Sequence, residues 1–255
     1  QWVLGPYTVQ AADRVRLAAD LRTRYEADYI RAWLNYVRAG SVVRFNNPAS
    51  AGVQLERLGD LQAPPLLQML ALASVATNID SSEVGTTFQP VRAVVLPDSA
   101  RYVFDQNSGY VNGLLELASA MRGLDAAAAG AAQETAKSNA AEVTQTLRNA
   151  VASIEKGFQS AGPNALGLAR TIRALLLQPA EYAEALLGQV ASNTLNEKGA
   201  SFCAPFRAIA AKYPFNPGGP DATPAEITDL LVDDADTRVI LLFMETIRDA
   251  DRLAR

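Results

Sequence analysis

The chain has 255 residues, 49% of them apolar, which is enough to fill a core and too many for a disordered tail. Its formal net charge of −4 and pI near 5.0 argue against the basic surface of a nucleic-acid binder. It contains no histidine, so the commonest general base and the commonest metal ligand are both missing.

Val15, Leu17, Leu21, Tyr25, Tyr29, Trp33 and Val37 recur mostly every four positions and predict one long amphipathic helix from residue 11 to about residue 39. Tyr25, Tyr29 and Trp33 form an aromatic stripe on it, expected to lie in the core. Gly40 is a helix stop, and Asn46-Asn47-Pro48 opens a loop. Pro64-Pro65 introduces Leu66-Leu67-Gln68-Met69-Leu70-Ala71-Leu72, apolar on nearly every face and therefore a buried helix. Residues 78–97, rich in Ser, Thr, Gly and Pro, are expected to be a loop, with a short strand at 91–96 as the alternative.

Residues 110–124 resume helical spacing. The alanine-rich run 125–158 has high helix propensity and few large side chains, which fits an exposed or subunit-facing helix. Gly162-Pro163 breaks it, residues 166–177 make another helix, and Gln178-Pro179 starts the next, running towards Leu195. Residues 214–220 must be a connection, because their prolines and glycines cannot continue a helix. Thr223-Pro224-Ala225-Glu226 has the pattern of a capping box, and a last amphipathic helix is expected at 236–253.

The predicted class is all-α: a multi-helix bundle without substantial sheet, arranged as two packed helical subdomains, 1–124 and 125–255. The longest largely apolar stretch, residues 66–76, falls far short of the roughly 20 residues of a spanning helix. The chain starts at Gln1 with no initiator methionine or signal peptide and is expected to be a piece of a longer protein. Arginines 14, 16, 22, 24, 31, 38 and 44 load its first segment, and aspartates 229, 233, 234, 236, 249 and 251 its last. Solvated helix faces account for this pattern, and so does complementary docking of the two ends within or between subunits.

No catalytic constellation emerges. Without histidine there is neither a Ser-His-Asp triad nor a Cys-His pair. The single cysteine, Cys203, can form no intrachain disulfide; Arg207 lies one helical turn on, yet a buried, inert thiol is expected. Asp233-Asp234-Ala235-Asp236 lacks the glycine and terminal glutamate of an EF-hand and reads as helix initiation. Residues 162–167 lack the ending of a P-loop. No catalytic, cofactor-binding or metal-binding residue is assigned, and an enzyme is not expected.

Four stretches, in order, carry a resemblance. These are Tyr25, Asp28, Tyr29 and Trp33; Ala63-Pro64-Pro65-Leu66-Leu67; Phe88-Gln89-Pro90-Val91 leading to Tyr110 and Leu114-Leu115-Glu116-Leu117; and Cys203 with Lys212-Tyr213-Pro214-Phe215, followed by the acidic segment 229–234. Together they make the chain resemble the periplasmic helical region of the IcmF/TssM family of type VI secretion.

The resemblance implies a structural segment of a bacterial inner-membrane protein that bridges inner and outer membranes and supports passage of the effector-loaded tube. It implies as partners a DotU/TssL-type inner-membrane protein, self-association in the full complex, and a TssJ-type outer-membrane lipoprotein gripped mainly by a C-terminal region absent here. The fragment itself is expected to touch neither membrane nor nucleic acid. Two other classes stay open: a helical module that binds a peptide or partner helix, and a hydrolase of cell-wall glycan with paired carboxylates.

Overall fold

The computed structural model describes residues 11–79, 83–98, 100–160, 162–213, 215–223 and 225–226. Eight α-helices are found among them: α1 Ala11–Ala39, α2 Pro48–Leu58, α3 Pro65–Ala76, α4 Glu83–Thr87, α5 Gln89–Val94, α6 Asp105–Ala126, α7 Ala131–Glu155 and α8 Leu166–Ala210. Short 3-10 turns at Lys156–Ser160 and Pro163–Ala165 link α7 to α8. The described residues form no strand, only an isolated bridge between Tyr213 and Asp221, so the class is all-α as expected. Packing divides the chain into two compact units, Gln1–Gly188 and Gln189–Arg255, with α8 contributing residues to each. The boundary expected at residue 124 falls in the last turn of α6.

The first unit is built around α6, whose Tyr110, Val111, Leu114, Leu117, Ala118, Met121 and Leu124 are buried. On one side lies α7, which presents Ala140, Thr144, Leu147, Val151 and Ile154. On another lies α2, with Ala51, Gly52 and Leu55 inward. Its glycine lets the two backbones approach, since a Cβ on Gly52 would come within 2.7 Å of Arg122 Cγ and 3.3 Å of the Ala118 carbonyl. Two ion pairs fasten the outer edges: Arg122 to Glu56 at 2.6 Å, and Arg148 on α7 to Glu184 on α8 through two bonds of 2.7 and 2.5 Å.

Asn107 ties the entry of α6 to the segment before it. Its carboxamide oxygen accepts from the Phe104 N–H, and its Nδ2 donates to the Val94 and Tyr102 carbonyls, all at 2.9 Å and with the side chain fully buried. Tyr110 next to it is different: its hydroxyl is buried without a partner among the described residues, and burial holds its pKa far above the ordinary phenol value. An unpaired buried hydroxyl costs free energy, so Tyr110→Phe is expected to leave stability unchanged or raise it by about 1 kcal/mol in thermal or denaturant melts.

Four expectations need correction. Residues 48–58 are the helix α2 and not a loop: Asn47 caps it by accepting from Ser50 N–H at 2.8 Å, and Pro48 occupies the first turn. Within the loop expected at 78–97, the segment 83–94 forms the short helices α4 and α5, and the alternative strand at 91–96 is not present. They are held by Arg92, whose guanidinium donates to the Thr77 and Gly85 carbonyls.

Nor is α7 simply exposed, because its spaced large side chains fill one face of the α6 contact. Finally, the break at Gln178-Pro179 does not occur, and α8 runs through it. Proline there forfeits one backbone hydrogen bond, but Leu175, Leu176, Leu177, Pro179, Ala180 and Ala183 are all buried on either side of it. Continuous burial outweighs the local breaker.

In the second unit, the chain after α8 turns back on itself. Tyr213 N–H donates to the Pro220 carbonyl, and Ala222 N–H to the Tyr213 carbonyl, at 2.8 and 3.0 Å. The expected capping box is formed: Thr223 N–H donates to Glu226 at 2.9 Å, and Glu226 N–H to Thr223 Oγ1 at 3.2 Å. The expected helix at 236–253 and the aspartates 229, 233, 234, 236, 249 and 251 lie outside the described residues.

Candidate interaction surfaces

The three aromatic family-motif residues on α1 form one ridge, and burial along it rises from Tyr25 to Tyr29 and Trp33. Tyr25 stacks on Tyr29 at 5.9 Å, Tyr29 meets Trp33 at 6.3 Å, and Trp33 meets Tyr36 edge-on at 5.2 Å. Tyr29 also donates its hydroxyl to the Ala76 carbonyl at the end of α3, at 2.8 Å. Asp28 pairs with Arg31 at 3.0 Å on the exposed side.

The stripe is therefore only partly core, which corrects the expectation. Tyr25 is 66% exposed, while Tyr29 and Trp33 are half-buried and Val37 is fully buried. The cause is tertiary: within the unit α1 packs on α3 and α4, which cover its second half alone. Fourfold spacing identifies the apolar face of a helix but not how much of its length has a neighbour.

Cys203 is a second correction, because it is exposed and not shielded. It lies on the part of α8 that belongs to the second unit, where Arg207 is exposed as well. An accessible thiol is open to reagent whatever its neighbours. One equivalent of a thiol reagent is expected to titrate Cys203 in the native protein as completely as in denaturant, read by absorbance or mass shift.

Of the remaining motif residues, Tyr213 is half-buried, Phe215 is 46% exposed and packs edge-on against Phe206 at 5.7 Å, and Pro214 lies outside the described residues. Glu226 closes the neighbouring cap. Its hydrogen bond from Lys212, followed by those from Thr223, lowers its pKa to about 2. A carboxylate with a depressed folded pKa supports its fold at neutral pH and loses that support as pH falls through the folded value. The cap is thus expected to stay formed at pH 7 and to be lost between about pH 4.5 and pH 2, followed through the Glu226 carboxyl shift by NMR.

Neither hollow described on the surface has the make-up of a reaction site. One, about 390 Å³, is lined by Glu155, Lys156, Phe158, Leu166, Arg170 and Arg173, and its sole carboxylate is paired with Arg173 at 2.8 Å. The other, about 420 Å³, is lined mainly by Val42, Val43, Gln54, Arg57, Leu58 and Pro65 and has no carboxylate. Among the described residues, no three His, Cys, Asp or Glu side chains gather as a metal site would require. What these surfaces offer chemically is apolar contact flanked by guanidinium groups, which suits docking to another macromolecule.

Residues 1–78 match the family model described as "IcmF-related: Intracellular multiplication and human macrophage-killing". The match spans α1, α2 and α3, and with them Tyr25, Asp28, Tyr29, Trp33 and the leucine-rich helix after Pro64-Pro65. No curated protein and no solved structure matches the chain.

Proposed function

We propose that this chain, IcmF-related over residues 1–78, serves as a structural, non-catalytic segment of a type VI secretion membrane complex. The observation that carries the reading is the coincidence of the family match with the aromatic block of α1 and the buried helix α3. In this reading the chain is the periplasmic part of an inner-membrane protein. It bridges towards the outer membrane and supports passage of the effector-loaded tube. Its partners are copies of itself, a DotU/TssL-type inner-membrane protein and a TssJ-type lipoprotein.

The role is mechanical. A helical body transmits load when its helices cannot slide, and here α6 is interlocked with α2 and α7 while guanidinium–carboxylate pairs join α2 to α6 and α7 to α8. No helix among the described residues is long and apolar enough to cross a membrane.

Deleting Gln1–Arg255 in frame from the full-length protein is expected to abolish export of the tube protein to the culture medium. The double substitution Asp233→Asn and Asp234→Asn should leave export largely intact, since no acid is assigned a chemical step. Unchanged export after the deletion would refute the role. Hydrolysis of peptidoglycan by the purified chain, lost on the double substitution, would replace it with the glycan hydrolase.

A further inference from the structure

We propose that the first half of α1, residues 12–25, is a docking face for an acidic amphipathic helix of a partner protein. Every residue from 12 to 25 is exposed. Yet at about 100° per residue Val15 and Ala18 lie on the face on which Tyr29 and Trp33 pack within the unit, and Tyr25, Leu21 and Leu17 continue the ridge of Tyr29 and Trp33 towards the N-terminus, each about 40° further round the helix. Val15, Leu17, Leu21 and Tyr25 are 73, 54, 60 and 66% exposed, a run of four large apolar side chains on a single helix. Isolated exposed apolar residues are ordinary; a run continuous with a core stripe marks a surface that another element covers.

Charge identifies the occupant. Over residues 12–25 the helix has four arginines, 14, 16, 22 and 24, against two acids, Asp13 and Asp20, in a chain whose net charge is negative. Arg22 spends its charge on Glu26 at 3.0 Å, whereas Arg14, Arg16 and Arg24 form no ion pair with any described residue. Arg14 and Arg22 sit among the apolar side chains of the stripe, and Arg24 borders Leu17 at its margin. A partner with apolar residues at three- and four-residue spacing and carboxylates beside them satisfies both features.

Length suits a single partner helix. The free stretch is about 21 Å long, 14 residues at about 1.5 Å each, and its apolar face leads directly under α3 and α4. A helix of that length fits the stretch, with carboxylates opposite its guanidinium groups. The inference does not depend on the secretion role and can hold where that role fails.

The test places a photo-crosslinking residue at position 17, 21 or 25 of the full-length protein in its own cells, with the exposed position 23 on the opposite side as control. The captured peptide is then sequenced by mass spectrometry. Expected is one partner segment of net negative charge with helical apolar spacing, captured from 17, 21 and 25 and not from 23.

Combining Arg14→Glu and Arg24→Glu, which leaves the Arg22–Glu26 pair intact, should lower the yield by about fivefold, the size of two exposed charge contacts turned repulsive, with the melting temperature unchanged. Capture of phospholipid, of a second copy, of another segment of the same chain, or of a basic or non-helical peptide would overturn the proposal. So would the absence of any adduct, or a yield indifferent to charge reversal.

Discussion

Replacing Asn107 with leucine is expected to destabilise the first unit by about 2–6 kcal/mol, because two buried backbone groups and a half-buried one lose their partner, at about 1–3 kcal/mol for each buried group. The two side chains are close in size, so packing is nearly conserved and the loss is of hydrogen bonds. Asn107 satisfies the Phe104 N–H and the Val94 and Tyr102 carbonyls at once. These groups lie between α5 and α6, where the chain makes no regular helical bonds of its own.

Asn107→Asp separates donor from acceptor. Its carboxylate can still accept from Phe104 but faces two carbonyl oxygens, which raises its folded pKa, so that variant should gain stability as pH falls. Urea melts of the three proteins at pH 7 and pH 5 would decide the matter. A loss under 1 kcal/mol for Asn107→Leu would show that the carbonyls find other partners.

The second large effect is expected where α6 and α7 come closest. Leu147 is fully buried, and a Cβ built on Gly113 would lie 3.1 Å from its Cδ1, so the leucine fills the notch that the glycine leaves. Leu147→Ala should cost about 2–5 kcal/mol through lost apolar burial and the cavity left behind. Gly113→Leu should cost about 1–3 kcal/mol or more, because added carbons force the helices apart.

Gly113→Ala is the informative partner of Leu147→Ala. Alone, its gain in helix propensity is offset by the tight contact. With Leu147→Ala, the new methyl enters the cavity, and the double variant should be more stable than the sum of the single changes by at least about 0.5 kcal/mol. Additivity within error would mean that the two positions do not share that space.

Sequence alone determined the elements whose signals are local. The full extent of α1, the buried helix after Pro64-Pro65 and the capping box at Thr223 and Glu226 were all legible, because apolar period, proline position and cap chemistry act within a few residues. The all-α class followed from the same signals. So did the aromatic block of α1, which falls within the family match over residues 1–78.

Tertiary structure decided the rest. The α2 helix buries Ala51, Gly52 and Leu55, of which only the leucine is large, so its apolar period is weak and its place against α6 is set by close backbone approach. In α8 Pro179 reads locally as a break, and apolar burial on both sides carries the helix through. The exposure of Tyr25 and Cys203 is of the same kind, because a side chain's accessibility depends on which neighbours reach it, and spacing along one helix holds no record of where those neighbours end.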